Sequence, residues 1–382
     1  MAVSRRSFVR ALSLGGASAI ALPSWVGARG LEGATGELRE FSALAANASD
    51  IIKLDSNENP NGPVPAAIKA IRDSMKRAAL YPASSEVDVR EALAKANGLQ
   101  TDQVMLGCGS GEILRLAVQA YCSPSKHLVS ALPSFESPAN YARTLGLPLR
   151  EVPIDKGMAI DLDGMLAQVK GAGLVFFCNP NNPTGHVHGA AAANDFIRAA
   201  LAADPEVIVL VDEAYHEFVD DPAYASALPL IASHSRVVIT RTFSKIYGIA
   251  GMRLGYAFGQ PATLQWMNRL RLPNGIGGLT QAAAIAALGD PAQLAKEQRL
   301  NREAREYTLK WFRDAGYEVT PSNANFLLVD IRRNAAEFRT ACHEQGVAVG
   351  RPFAPLMNHT RISIGTMDEM HRATLILKRV LG

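Results

Sequence analysis

The stretch VIVLVDEAY, residues 207–215, decides the fold class of this chain. Its first five residues are all apolar, and two carboxylates end the run. A strand that is apolar on both faces is typical of a parallel sheet covered by helices on both sides. A carboxylate that directly follows such a strand is costly to bury unless a cation or hydrogen-bond donors compensate it. We therefore predict a covered strand that delivers Asp212 to a polar site.

Similar apolar runs lie on both sides of this strand, and segments with helical periodicity separate them. Strands that alternate with helices predict an α/β fold with a mostly parallel sheet flanked by helices. After about residue 290 the pattern changes to that of a smaller α+β C-terminal domain. The further strands are predicted at QVMLG, HLVSA, GLVFFC, RVVIT and LGYAF, then in YEVTPSNANFLLVDI, VAVG and RISIG. Helices are predicted near 66–78, 86–97, 111–121, 135–145, 189–203, 261–271, 280–288, 291–315, 335–345 and 367–380.

The N-terminus is typical of an export signal. Ser4, Arg5, Arg6 and Phe8 match the twin-arginine pattern, and the apolar run that follows, 11–22, is too short for a stable membrane span. This pattern predicts that the folded protein is exported to the periplasm. A plain basic tail, and hence a cytoplasmic protein, is the alternative.

Charge and cysteine spacing limit the partners that this chain can have, and its composition suggests how it is organised into segments. A net charge of +3 with scattered Lys and Arg argues against a nucleic-acid partner. The four cysteines form no CxxC pair and are expected to be small buried hydrophobes, and no metal site is predicted. The predicted organisation is a signal at 1–30, an N-terminal arm and linker at 31–75, a large cofactor-binding domain at 76–290 and a small domain at 291–382.

Four polar segments directly follow predicted strands. In open α/β sheets, ligands bind beyond the carboxyl ends of the strands. Because parallel strands end at the same edge, these segments are predicted to form one site. They are GCGSGE at 107–112, NPNNPTG at 179–185, DEAY at 212–215 and TFSK at 242–245.

These segments carry the groups that an aldehyde cofactor with a pyridine ring requires. Lys245 could form a Schiff base and then act as general base, although a solvated loop lysine is the alternative. Asp212 could hold a protonated pyridine nitrogen, which makes the ring an electron sink; a helix-capping aspartate is the alternative. Asn182 and Tyr215 could bond to a phenolic oxygen, and Phe135 could stack on the ring or belong to the core.

The same segments supply phosphate-binding groups. The glycine-rich turn leaves backbone N–H groups free at a helix N-terminus, which suits an anion, although a tight turn without ligand is equally compatible. It lacks the Lys-Ser/Thr ending of a nucleotide-binding P-loop. Hydroxyl and guanidinium groups near the lysine suit a monoester phosphate. The predicted cofactor-binding residues here are Ser110, Gly111, Glu112, Thr242, Ser244 and Arg253.

Together, NPNNPTG, DEAY, TFSK followed by GMRLG, and RISIG resemble the fold-type I pyridoxal-phosphate aminotransferases, from about residue 50 to the end. The resemblance implies that the cofactor is pyridoxal 5'-phosphate and that Lys245 carries it. It implies that Asp212 and Tyr215 assist catalysis and that Arg361 binds the substrate carboxylate. It further implies a homodimer in which Tyr81 reaches the phosphate of the neighbouring site.

Within that group, LDSNENPNGP, YPASS and RISIGT are most similar to the histidinol-phosphate aminotransferases. Asn61 stands where those enzymes commonly have an aromatic residue associated with the distal phosphate of the substrate, and Arg351 matches a second arginine used for a distal anion. The predicted activity is amino transfer between an amino acid, or a histidinol-phosphate-like amine, and a 2-oxo acid by a ping-pong cycle. A decarboxylase or lyase would share the cofactor residues, and a non-catalytic binding protein is a further alternative.

Overall fold

The computed structural model describes residues 51–82 and 85–382. Its central sheet has seven strands in the order β2-β8-β7-β6-β5-β3-β4. Strand β8 runs antiparallel to both of its neighbours, and the other pairs in this sheet are parallel. The predicted α/β class with a mostly parallel sheet is therefore confirmed. The strands of the described chain are β1 Ile52–Leu54, β2 Val104–Cys108, β3 His127–Leu132, β4 Leu149–Pro153, β5 Ala172–Cys178, β6 Ile208–Asp212, β7 Val237–Thr242, β8 Leu254–Phe258, β9 Glu318–Val319, β10 Phe326–Asp330, β11 Val347–Val349 and β12 His359–Ser363.

Helices cover both faces of this sheet and continue into the C-terminal part. Several begin where the sequence supplies a cap: Thr366 and Glu369 form a reciprocal capping box, and Asp290 accepts from the N–H of Gln293. Every predicted helix is present within a few residues of its expected bounds. The helices are α1 Pro65–Ser74, α2 Ser85–Asn97, α3 Ser110–Tyr121, α4 Ser137–Thr144, α5 Leu162–Leu166, α6 Ala190–Ala203, α7 Pro261–Asn268, α8 Gly278–Leu288, α9 Pro291–Asp314, α10 Ala335–Glu344 and α11 Met367–Leu381.

The three middle strands of the sheet, β5 to β7, are buried at every residue. Phe177 and Val209 pack in one hydrophobic core, whereas their chain neighbours Phe176 and Leu210 pack in the core on the other face. Successive side chains of a strand point to opposite faces, so one apolar run supplies both layers. Polar side chains inside these strands, such as Thr240 and Arg241, have carboxylate partners, and the groups that face the cavity lie at the strand ends.

A separate hydrophobic core lies in the C-terminal part, around an antiparallel sheet of order β12-β10-β9. Strand β1 pairs in parallel with β11, and its Leu54 is fully buried in that core. The segment predicted as arm and linker therefore contributes a strand here. Residues Ile52–Gly382 form one compact unit, so the domain boundary near 290 stays a prediction.

Two strands and one short helix were not predicted from the sequence. β4 lies at the edge of the large sheet and its LREVP sequence carries two charged residues, while β1 has only three residues. α5 has five residues, too few to show helical periodicity. Among the described residues, no helix is both long and apolar enough to cross a membrane. The predicted signal, 1–30, lies outside the described residues.

Candidate active site

A cavity of about 470 Å³ lies where strands β6 and β7 end. The last residues of these strands, Asp212 and Thr242, both line it. Twelve of the fifteen residues predicted for the site line the same cavity. They are Ser110, Gly111, Phe135, Asn182, Asp212, Tyr215, Thr242, Ser244, Lys245, Arg253, Arg351 and Arg361.

Asp212 is the most deeply placed acid of the cavity. Its carboxylate is only 1% exposed, and its Oδ1 accepts a hydrogen bond of 2.8 Å from Thr240 Oγ1 on the neighbouring strand. Burial raises the pKa of this carboxyl to about 7. Within the described part of the chain, no Lys or Arg forms an ion pair with it. A cation delivered by a ligand would therefore be strongly favoured at this position.

Lys245 lies beside Asp212 in the cavity. Its Nζ donates to the backbone oxygen of Ser56 at 3.3 Å and lies 5.7 Å from the centre of the Tyr215 ring. Burial, followed by the charges of Arg361 and Arg253, lowers the pKa of this amine to about 8. An amine with this pKa is partly unprotonated at neutral pH, which suits a nucleophile or a general base.

Arg253, Ser244 and Thr242 form one connected group. Arg253 Nη1 donates to Ser244 Oγ at 3.2 Å, and the Ser244 N–H donates to Thr242 Oγ1 at 3.0 Å. Arg253 has the left-handed backbone conformation, with φ of 54°. Its guanidinium lies so close to Gly109 that a Cβ there would approach Nη2 to 2.3 Å. The tight turn before α3 therefore needs glycine at 109, and it brings the arginine to the N-terminus of that helix.

Ser110 and Gly111 begin α3 and line the cavity, so the N-terminus of this helix lies at the cavity wall. Glu112 was predicted to take part in cofactor binding, but the structure places it elsewhere. Its Oε2 accepts a bond of 2.6 Å from the N–H of Cys108, and it does not line the cavity. The carboxylate satisfies a backbone donor of the turn, which is a common role for an acid in the first turn of a helix.

Tyr215 and Arg361 are both buried and are linked through Asn182. Arg361 Nη1 donates to Asn182 Oδ1 at 2.8 Å, while Asn182 Nδ2 donates to the Tyr215 hydroxyl at 3.3 Å. Arg361 Nη2 also donates to the backbone oxygen of Asp55 at 2.6 Å, and its Nε is buried with no partner among the described residues. Burial lowers the pKa of Arg361 and raises the pKa of Tyr215.

A second guanidinium faces the cavity from beyond β11. Arg351 pairs with Glu136 through both of its Nη atoms, with Nη1 to Oε1 at 3.0 Å. The centres of the Arg351 and Arg361 guanidinium groups lie 4.3 and 5.0 Å from the centre of the Phe353 ring. One aromatic ring thus contacts both cations. Phe135, directly before Glu136, lines the cavity and packs against one of the two cores of the main sheet.

Asn61 and Tyr81 are not brought into this cavity. Asn61 Nδ2 donates to Glu297 Oε2 at 2.8 Å beside a separate small cavity, so its side chain holds the loop onto α9. Tyr81 is 86% exposed and lines a different cleft together with Leu80 and Ile285. Within one chain, neither side chain is positioned to touch a ligand of the main cavity.

Sequence reasoning missed several residues of the site. Thr240, Asn57, Glu136 and Phe353 belong to it only because of packing between distant segments. Thr240 could have been found from strand pairing, since it lies opposite Asp212 in the parallel register of β6 and β7. Asn57 carries a weaker signal, because an asparagine in a turn-rich loop usually has a structural role.

The donor set fits pyridoxal 5'-phosphate. The buried Asp212 carboxylate suits a pyridinium N–H, and the Lys245 amine suits an aldehyde carbon. Arg253, Ser244 and the N-terminus of α3 provide cationic, hydroxyl and N–H donors for a phosphate. These three demands come from different parts of one cofactor, and the cavity contains a match for each.

Comparison with known proteins agrees with the fit of the cavity to this cofactor. A family model described as aminotransferase class I and II matches residues 49–376. A histidinol-phosphate aminotransferase of Symbiobacterium thermophilum is 40% identical over 337 residues, which cover 87% of this chain and 91% of that protein. One from Moorella thermoacetica is 37% identical over 337 residues, with coverage of 87% and 86%. The similarity thus extends over nearly all of the described chain.

A solved structure agrees with these relatives. The histidinol-phosphate aminotransferase of Sinorhizobium meliloti, in complex with pyridoxal-5'-phosphate, matches with a TM-score of 0.80 and 29% identity. The match covers 86% of this chain and 90% of that chain. The fold around the cavity is therefore one that holds this cofactor in a related protein.

Proposed function

This chain belongs to the aminotransferase class I and II family, and we propose that it transfers the amino group of histidinol phosphate, or of a closely similar amine, to a 2-oxo acid. That it is a pyridoxal-phosphate-dependent aminotransferase follows from the relatives and the family model. The observation that supports the substrate is the placement of Arg351 and Arg361 on one Phe353 ring. Two guanidinium groups so close together suit a substrate with a phosphate or carboxylate group.

The cofactor supplies an electron sink that stabilises negative charge at the reacting carbon of the substrate. The residues of the chain prepare the site for that chemistry. Asp212 would hold a proton on the ring nitrogen, because its buried carboxylate is stabilised by an adjacent cation. Ser244, Arg253 and the start of α3 would hold the phosphate and so fix the position of the ring.

Lys245 and Arg361 would act on the substrate. Arg361 lines the cavity, and its guanidinium would bind the substrate anion and orient the amine toward Lys245. The Lys245 amine, with its pKa lowered to about 8, would accept the proton from the reacting carbon and hold it at Nζ. Asn182 keeps Arg361 in place during this step through its bond to Nη1.

The substrate is tested by mixing the purified holoenzyme with single amino donors and following the visible band of the cofactor. Histidinol phosphate is expected to discharge the band, and 2-oxoglutarate to restore it; histidinol, which lacks the phosphate, should react at least tenfold less efficiently. Equal reaction of the two amines would reject the phosphate selectivity. Glutamate and an aromatic amino acid extend the panel, and the variant Lys245→Ala is the inactive control.

We also propose that the protein is a homodimer in which Tyr81 reaches the neighbouring site. Tyr81 is 86% exposed, and the exposed apolar side chains of Leu80 and Ile285 line the same cleft. Met75, six positions before Tyr81, is a further exposed apolar side chain. Large exposed apolar side chains that lie together are typical of an interface. Light scattering with size-exclusion chromatography tests the assembly, and Tyr81→Phe should weaken cofactor binding without changing the measured mass.

Export by the twin-arginine route, with a periplasmic location, is a further proposal. Arg5 and Arg6 support it, followed by the short apolar run at 11–22. Replacing both arginines by lysine in the full chain should retain the protein in the cytoplasm, as measured by cell fractionation. A protein that stays in the cytoplasm without any substitution would reject the proposal.

A further inference from the structure

We infer that Asn57 is a positioning residue which, together with Asn182, makes the Tyr215 hydroxyl donate its hydrogen into the active-site cavity. The Tyr215 oxygen accepts two hydrogen bonds, from Asn57 Nδ2 at 3.0 Å and from Asn182 Nδ2 at 3.3 Å. A phenol has one hydrogen and two acceptor positions. With both acceptor positions used, any further partner of this hydroxyl must be an acceptor.

Each amide has a second partner that accounts for its orientation. Arg361 can only donate, so the atom of Asn182 that faces its Nη1 at 2.8 Å is Oδ1. Ser363 Oγ accepts from the Asn57 backbone N–H at 2.8 Å and donates its own hydrogen to Asn57 Oδ1 at 2.8 Å. Rotating the Asn182 amide by 180° would place two donors, its Nδ2 and Arg361 Nη1, against each other. The Asn57 amide is oriented with Oδ1 toward the donating Ser363 hydroxyl, which leaves its Nδ2 for Tyr215. Both Nδ2 groups are therefore directed to Tyr215.

Asn57 is held firmly in this position. It is 1% exposed and has the left-handed conformation, with φ of 53°, which asparagine adopts more readily than most residues. Asn325 Nδ2 donates to its backbone oxygen at 3.0 Å. Ser363, the last residue of β12, holds both its backbone and its side chain. These hydrogen bonds hold the loop before α1 against the C-terminal part of the chain. They also fix the Asn57 side chain that bonds to Tyr215.

The hydrogen that Tyr215 directs into the cavity would be donated to the ring oxygen of the cofactor. A hydrogen bond donated to an ionised oxygen stabilises the ionised form and lowers its pKa. If Tyr215 instead accepted, or donated to another group, that stabilisation would be lost. Asn57 also lines the cavity, and it would influence the cofactor through Tyr215, by leaving that hydroxyl no other role.

The decisive variant is Asn57→Asp, which keeps the size and the tolerance for the left-handed backbone but replaces the donor by an acceptor. The Tyr215 hydrogen is then expected to turn to the new carboxylate. Cofactor-free protein is titrated with 4-deoxypyridoxine 5'-phosphate, which has the ring hydroxyl but no aldehyde to react with Lys245. The variant should bind it about tenfold more weakly, and the pH midpoint of the visible band of the pyridoxal-phosphate-loaded protein should rise by about one unit.

A double-mutant comparison separates positioning from a general structural effect. Tyr215→Phe alone should weaken binding of the analogue, and Asn57→Asp combined with Tyr215→Phe should weaken it no further. Additive losses would overturn the inference, as would an Asn57→Asp variant with wild-type affinity and an unshifted midpoint. Asn274→Asp is the matched control, because Asn274 is also left-handed, with φ of 56°, but lies exposed outside the cavity; it should leave both readouts unchanged.

Asn57→Gly covers the case in which the charged variant folds poorly. Glycine accepts the left-handed backbone and keeps the N–H bond to Ser363, but it lacks the donor to Tyr215. We expect a midpoint shift of the same sign and smaller size than in Asn57→Asp. An unshifted midpoint would contradict the inference. The test uses no amine substrate, so its outcome is separate from that of the proposed substrate.

Discussion

Glu136 and Arg351 are 215 positions apart in the chain and form a two-point ion pair at the wall of the active-site cavity. Glu136 lies just after β3, and Arg351 lies just after β11, so the pair joins the large sheet to the C-terminal part. It also means that one of the two guanidinium groups proposed for the substrate anion already has a carboxylate partner. A substrate anion must compete with Glu136 for Arg351.

Glu136→Gln is therefore expected to improve the use of a substrate with a distal phosphate. Both side chains are partly exposed, and pairs of this kind contribute only about 0.2–1 kcal/mol, which limits the gain to about fivefold or less. The measurement is the KM for histidinol phosphate, with kcat expected to change little. A KM that stays the same or rises would contradict the competition. Glu151→Gln removes the carboxylate of another partly exposed arginine pair and should leave KM unchanged.

The raised pKa of Asp212 predicts how the cofactor-free protein responds to pH. A carboxyl with a pKa of about 3.8 when unfolded and about 7 when folded is destabilising once ionised, so its cost grows as pH rises from about 4 to 7. Between pH 5 and 8 the cost should grow by on the order of 2–3 kcal/mol. Urea unfolding of cofactor-free Asp212→Asn should show a gain over the wild type that is larger at pH 8.

A gain that is equal at both pH values would mean that Asp212 is not buried as an acid in the absence of cofactor. Thr240→Val provides the comparison, because it removes the only neutral side-chain donor that the carboxylate has among the described residues. Without that donor the ionised form is less stable, so the variant should lose more stability at pH 8 than at pH 5.

The lowered pKa of Lys245 predicts the pH dependence of cofactor loading. Only the unprotonated amine attacks an aldehyde, so the rate at which cofactor-free protein captures pyridoxal phosphate should rise with a midpoint near pH 8. The charge of Arg361 contributes to the lowering, so Arg361→Gln should move the midpoint upward. Arg339→Gln removes another arginine of the cavity wall and should leave the midpoint in place. Stopped-flow absorbance measures the rate.

Much of this molecule could be predicted from the sequence because its strands are unusually apolar. Val209 and Phe177 belong to runs without a polar residue, so their burial on both faces followed from the pattern. Asp212 and Lys245 could be assigned to one site because Asp212 ends a covered strand and Lys245 lies three residues beyond the end of the next one, at the same edge of the sheet. The large sheet and the grouping of these residues at one cavity therefore followed from local signals.

The parts that the sequence could not predict depend on contacts between distant segments. The bonds of Asn57 to Tyr215 and Ser363 span 158 and 306 positions, and nothing in the loop itself indicates either partner. Glu112 was predicted to bind the cofactor because it lies in the glycine-rich turn. In the structure its carboxylate accepts a hydrogen bond from the backbone N–H of Cys108 instead. Asn61 was assigned by its place in a motif, and Glu297 from α9 holds it instead.

Alanine at the Gly109 turn would combine backbone strain with damage to the phosphate site, and alanine at Gly98 separates the two effects. Gly109→Ala meets two penalties: a left-handed φ of 72° and a Cβ that would approach Arg253 Nη2 to 2.3 Å. Gly98→Ala meets only the first, since it has φ of 68° and nothing within 4 Å of the new Cβ. Gly98→Ala should lose about 1 kcal/mol of stability from the backbone alone, and Gly109→Ala about 1–3 kcal/mol, because its φ of 72° and ψ of 161° lie in a region that only glycine readily adopts. Only Gly109→Ala should also weaken pyridoxal phosphate binding, by about tenfold or more, since moving the guanidinium costs a charge-assisted bond. Equal affinities of the two variants in an equilibrium titration would show that Arg253 does not hold the phosphate.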